Sequence, residues 1–242
     1  MSRSCADLLA VAPAPGSRMS TYAVRLAALS PADSLASTVV THRAIWLSGQ
    51  SAYTHSHLNP EQRQTLAPLG DLGFDVVDAG FPYHPAYLTA AWGREPLVAA
   101  SLRNGRQTLA TYLSPRHRRV LARHLQPVVA HTTDRLVVVA ASSGLRMWLS
   151  ALPALRLPPA LRVRVVALGP AVVADPRAGR CAAWAQHRDR LHLHVAVGRP
   201  DRVSRQTYAG RVDTWVAATH MDYASDPGVR GLVAQLGAEH AR

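Results

Sequence analysis

Lysine is missing from this chain: every one of its 27 basic residues is arginine. Together with abundant alanine, that pattern reflects the coding bias of a GC-rich genome. Bias accounts for arginine in place of lysine, but not for the excess of basic over acidic residues, 27 against 15, a formal charge of +12. A surface so charged draws anionic partners through its long-range field. Cysteine is almost absent too. Cys5 and Cys181 form neither a metal-ligand spacing nor a disulfide framework, so a reducing cytoplasm is the expected compartment. No apolar run approaches the ~20 residues that span a bilayer, so no transmembrane segment is expected. Residues 1–16 hold one arginine and an apolar patch broken by Pro13 and Pro15, unlike a secretory signal. Helix-turn-helix, zinc-finger and aromatic RNA-binding signatures are also lacking, so no specific nucleic-acid partner is expected. The densest basic run, Arg116-His117-Arg118-Arg119 with Arg123 and His124 a turn later, reads as a solvated helix face.

What is present suits one α/β domain: 242 residues, 48% of them apolar, are enough to bury a full core. Residues 1–40 read as a loosely ordered entry segment, with a strand or short helix near Tyr22 to Leu29. Residues 41–242 read as the domain. Arg43 to Ser48 is the first clear strand. Asn59-Pro60-Glu61 then supplies a helix start, with Asn as cap and Pro in the first turn, and the helix should run to about Leu72. Phe74 to Ala79 completes a βαβ unit, which is right-handed almost without exception. Residues 86–131 are too long for one crossover and should hold two or three helices, broken near Gly93, Gly105 and Pro115. Further strands are expected at 135–140, 162–168, 191–197 and 212–219, and a last helix from Gly228 to His240. The implied architecture is a mostly parallel central sheet with helices on both faces.

The most telling stretch is Leu136 to Leu145, an apolar run ending in Ala140-Ala141-Ser142-Ser143-Gly144 and passing into a helix-like segment to Leu155. A serine on so tight a strand-to-helix turn needs small neighbours two positions either side, and Ala140 and Gly144 provide them. The G-x-S-x-G nucleophile elbow is built in this way. Asp201 follows the 191–197 run, in Gly198-Arg199-Pro200-Asp201-Arg202-Val203. His220 follows the 212–219 run and precedes the last helix. A serine, an acid and a histidine thus stand just past three strand ends, which in a parallel sheet lie along one edge. In this order and context the chain, over residues 43–236, resembles the α/β-hydrolase superfamily. It departs from that family's pattern in having Ala140 and Leu145 for glycines and no His-Gly dipeptide for the oxyanion loop. The first strands of the usual eight-stranded sheet are not evident before residue 43.

The resemblance implies a serine hydrolase of carboxylic esters or thioesters, with Ser142 as nucleophile, His220 as base and Asp201 as the acid that orients it. The oxyanion donors would be the N–H of Ser143 and a group from the loop after the first strand, Gln50 or Ser51. Ser143 is a rival nucleophile, but it would put Leu145 at a flanking position. Asp175 is a rival acid; Asp213 and Asp222 read as solvated or capping residues. His192 and His194 share one strand face without a third ligand, which points to packing or exposure and not to a metal. No cofactor or metal is called for, and the expected partner is a small acyl substrate. The segment 169–190 is too short for a large lid. Two other readings stay open: a non-catalytic module of the same fold, and a basic protein that binds nucleic acid or anionic membrane.

Overall fold

A computed structural model of the chain describes residues 19–49, 53–89, 97–171, 173–179 and 181–242. Six parallel strands form its central sheet: β1 (Val40–Ser48), β2 (Asp75–Val76), β3 (Thr132–Ala141), β4 (Arg162–Leu168), β6 (Leu191–Gly198) and β8 (Thr214–Val216), in the order β2-β1-β3-β4-β6-β8. Two short strands, β5 (Val173–Ala174) and β7 (Tyr208–Ala209), pair separately in parallel. The helices are α1 (Met19–Ala28), α2 (Pro60–Asp71), α3 (Leu97–Leu113), α4 (Pro115–Ala130), α5 (Gly144–Ala151), α6 (Ala182–Gln186), α7 (Arg202–Thr207) and α8 (Pro227–Ala241).

The strand sequences explain why the sheet is covered on both sides. In β3, Leu136, Val138 and Ala140 point into one core, and Val137 and Val139 into another. A strand buried on both faces reads as a continuous apolar run and not as an alternation. On the first face Leu121, Leu125 and Val128 of α4 and Leu145 and Trp148 of α5 close the core. On the second, Leu66 and Leu69 of α2 meet Val229, Val233 and Leu236 of α8. The architecture is a parallel sheet with helices on both faces and little between β4 and β6, where the described residues form β5, a 3-10 turn and the five-residue α6.

Helix starts follow local chemistry. Asn59 accepts from the N–H of Gln62, and the Gln62 side chain accepts from the N–H of Asn59, a reciprocal capping box with Pro60 in the first turn. Ser114 and Asp226 cap α4 and α8 without the reciprocal bond, their side-chain oxygens accepting from the N–H of His117 and of Val229, each cap followed by proline.

Several expectations need correction. The second strand is only Asp75–Val76 and the last only Thr214–Val216, shorter than the apolar runs around them. Gly105 does not break a helix; α3 runs through it from Leu97 to Leu113, and the break falls at Ser114-Pro115. Gly93 lies outside the described residues. In the entry segment, where the sequence leaves a strand or short helix open near Tyr22 to Leu29, the chain forms the helix α1, and its Tyr22 and Leu26 are buried in the first core.

Candidate active site

All six strands run the same way, so Ser142, Asp201 and His220 leave the same edge of the sheet, after β3, β6 and β8. Strand order reverses between β1 and β3, since the chain moves outward from β1 to β2 and returns to the other side as β3. Connections that diverge at such a switch leave a crevice beyond the strand ends, where ligands bind in open α/β sheets. Ser142 stands at that position.

The turn that carries Ser142 is strained. Its φ is +53°, in the left-handed region that costs a non-glycine residue of order 1 kcal/mol or more. The surrounding structure holds it there: Ser142 N donates to Leu168 O at 2.9 Å and Ala171 N donates to Ser142 O at 3.2 Å. The small neighbours are required by sterics. A Cβ on Gly144 would lie 2.0 Å from Leu47 O and 3.4 Å from the Ala140 Cβ, so β1 and β3 together leave no space for a side chain. Leu145, the residue after Gly144, is fully buried in the first core.

Ser142 Oγ lies 3.0 Å from His220 Nε2, and His220 Nδ1 lies 3.1 Å from Asp201 Oδ2. Ser204 Oγ is a second neighbour of Nδ1, at 3.4 Å. Asp201 is 1% exposed and caps α7, its Oδ1 accepting from Ser204 N at 3.0 Å. Burial pushes the Asp201 carboxyl up. Hydrogen bonds from Ser204, Tyr223 and His220 outweigh it and hold the group below the usual carboxylate range. A histidine with one ring nitrogen on a buried carboxylate and the other on a hydroxyl is arranged to take the hydroxyl proton, leaving an imidazolium that the carboxylate stabilises.

Two members of this constellation escaped the sequence reading. Tyr223 Oη donates to Asp201 Oδ2 at 2.7 Å and accepts from Gly198 N at 2.7 Å. Burial, with the Asp201 carboxylate alongside, pushes the Tyr223 hydroxyl well up, so it stays a donor at neutral pH. Ser204 is the other. An Asp-x-x-Ser spacing at a helix start was the available signal for Ser204, whereas Tyr223 had only its closeness to His220 in sequence.

Ser143 stands just before α5 with φ −71° and is buried, and its Oγ has no hydrogen-bond partner among the described residues. It is the N-cap of that helix, preceding its first turn. A Cβ on Gly49 would lie 2.4 Å from Ser143 Oγ, so the loop leaving β1 runs directly against the elbow. Gln50 and Ser51, the expected second oxyanion donors, lie outside the described residues.

The other candidates fall elsewhere. Asp175 faces away from the histidine, its carboxylate on Arg177 at 2.8 Å and on Arg211 N at 3.0 Å. Asp213 is not solvated as expected: it joins Arg177 at 2.6 Å and Arg211 at 3.0 Å and accepts from Val195 N. Asp222 accepts from Thr219 Oγ1 within its own turn. His194 shares a hydrogen bond with Thr214 Oγ1 at 2.8 Å, and His192 is exposed. Among the described residues no cluster of three or more His, Cys, Asp or Glu could hold a metal ion, and no helix is long and apolar enough to cross a membrane.

No family model matches the chain, and no curated sequence matches it significantly. Two solved structures resemble it at low identity. One, from Agrobacterium vitis S4 and provisionally designated a hydrolase, is 13% identical, with 84% of this chain and 88% of that one covered at a TM-score of 0.45. The other is acetyl xylan esterase 1 from Thermoanaerobacterium sp. JW/SL YS485, 17% identical, with coverages of 84% and 76% and a TM-score of 0.43.

Proposed function

We propose that the chain is a serine hydrolase of carboxylic esters or thioesters that works through an acyl-enzyme. The observation that carries this reading is the strained Ser142 with its Oγ 3.0 Å from His220 Nε2, backed by Asp201 at 3.1 Å from Nδ1. A serine hydroxyl is a weak nucleophile unless a base is at hand, and this arrangement supplies one. Ser142 Oγ attacks the acyl carbon while its proton passes to His220 Nε2. The tetrahedral intermediate collapses as His220 returns that proton to the departing alkoxide or thiolate. Water, deprotonated by the same nitrogen, then releases the acid and restores the serine. Negative charge on the carbonyl oxygen is met by the Ser143 N–H, with Gln50 or Ser51 as the proposed second donor; one such donor is worth about 10²–10³ in rate. The short segment over the site favours small or extended acyl groups.

A fluorophosphonate probe tests this reading, since it phosphonylates only an activated serine. Labelling of the folded protein at Ser142, lost in Ser142→Ala and His220→Ala, is the expected result. Folded protein that stays unlabelled, or is labelled at Ser143, overturns it.

A further inference from the structure

Away from Ser142, Asp201 and His220 there is a cavity of about 730 Å³, in the size range of small-molecule sites. Three guanidinium groups line it: Arg118 and Arg119 near the start of α4, and Arg146 on α5. Apolar side chains, among them Leu149, Pro153 and Val173, form the rest of the wall.

Among the described residues none of the three arginines has an ion-pair partner. Arg146 lies over the ring of Tyr112, 3.2 Å from its centroid, and its Nε is buried without an acceptor. Burial, with Arg118 nearby, pulls the Arg146 guanidinium below its ordinary value, the sign of a charge short of compensation. Arg118 donates to the carbonyl oxygen of Tyr112 at 2.7 Å, which orients it without neutralising it. Arg119 is exposed at the rim. The one carboxylate on the wall, Asp175, is taken by Arg177 and the N–H of Arg211. Other buried or half-buried arginines divide: Arg43 pairs with Asp75, Arg135 with Asp134 and Arg164 with Glu239, whereas Arg25 and Arg230 have no ion pair among the described residues. The basic run that read as a solvated helix face therefore has half of its charge turned into a concave site.

We infer that this cavity binds a free phosphate monoester with a small apolar body. Guanidinium groups meet phosphate oxygens in paired, charge-assisted hydrogen bonds. Three of them match a dianion better than a single carboxylate charge. The apolar wall selects for a carbon chain beside the phosphate, and the concave shape favours a small ligand over a flat polyanion.

The test is calorimetric titration of the Ser142→Ala chain, so the outcome does not depend on ester hydrolysis. Hexyl phosphate is expected to bind at least tenfold more tightly than hexanoate or inorganic phosphate. Arg119→Ala, at an exposed position that folding tolerates, should weaken hexyl phosphate about tenfold, and Arg146→Gln more. Arg63→Ala, on the exposed side of α2, should change nothing. Equal affinity for hexanoate, or indifference to both cavity substitutions in variants of normal melting temperature, overturns the inference. So does binding to phosphatidate vesicles without binding of hexyl phosphate, which would assign the arginines to a membrane surface.

Discussion

Asp201 is where residue-level chemistry is most exposed to test. Its Oδ2 serves both His220 Nδ1 and the Tyr223 hydroxyl, while its Oδ1 is spent on the Ser204 N–H. Asp201→Asn keeps the shape but puts an amide against Nδ1 and favours the wrong tautomer, so turnover of a p-nitrophenyl ester should fall by about 10³–10⁴ with the fold retained. Asp175→Asn should leave turnover within a few-fold and instead lower the melting temperature, because its carboxylate holds Arg177 and the Arg211 N–H. A crippled Asp175→Asn beside an active Asp201→Asn would remove Asp201 from the mechanism. Tyr223→Phe takes one donor from Asp201 and leaves Ser142, His220 and Asp201 in place. The carboxylate is then held less firmly against His220 Nδ1, so kcat for a p-nitrophenyl ester should fall about tenfold at unchanged melting temperature; a variant as active as the parent would remove Tyr223 from the positioning of Asp201.

At the scale of elements, the elbow is the most demanding contact. Gly144→Ala would drive a Cβ into the Leu47 carbonyl, which belongs to the central strand β1 and has little room to yield. A loss of about 3 kcal/mol in a urea titration is expected, the upper part of the usual overpacking range. Asn59→Ala removes one half of the α2 capping box and should cost about 1 kcal/mol. A Gly144→Ala chain as stable as the parent would mean that the strand and elbow are less tightly joined than these distances imply. Legibility in the sequence followed the same physics. The inner strands β3, β4 and β6 could be read from their apolar runs because both of their faces are buried, and α2 could be read because Asn-Pro states its own cap. The edge strands β2 and β8 came out shorter than read, since each has a ladder partner on one side only and the chain soon turns away. Gly105 misled because a lone glycine in an otherwise favourable helix costs only about 1 kcal/mol, less than the flanking turns return. The placement of Ser142, Asp201 and His220 beyond strand ends was legible from order alone. Tyr223 was not, because its role exists only through contact with a carboxylate 22 positions away.

For the whole molecule, the relevant charges are those the fold keeps switched off. The chain already carries a formal +12, and of the four buried histidines among the described residues, His84, His117, His124 and His240, burial pulls His117 and His240 down to about 4. His117, on α4, is 3% exposed with neither ring nitrogen hydrogen-bonded among the described residues, and burial lowers its pKa to about 4. His240, on α8, is likewise lowered to about 4, first by burial and then by Arg164, even though the Arg162 carbonyl is within reach. In the unfolded chain both titrate near 6.5. Between those values the unfolded state binds more protons, so stability is full above about pH 6.5 and is lost as pH falls toward 4. Each histidine contributes on the order of 3 kcal/mol across that window, a large part of a typical domain's stability. Urea midpoints measured from pH 7.5 down to 4.5 should therefore be flat at the top and fall steeply below about 6.5. His117→Leu should flatten the fall, and at pH 5 the variant should be the more stable of the two. A variant whose midpoint drops in parallel with the parent would show that the proton taken up on unfolding goes to some other group than His117.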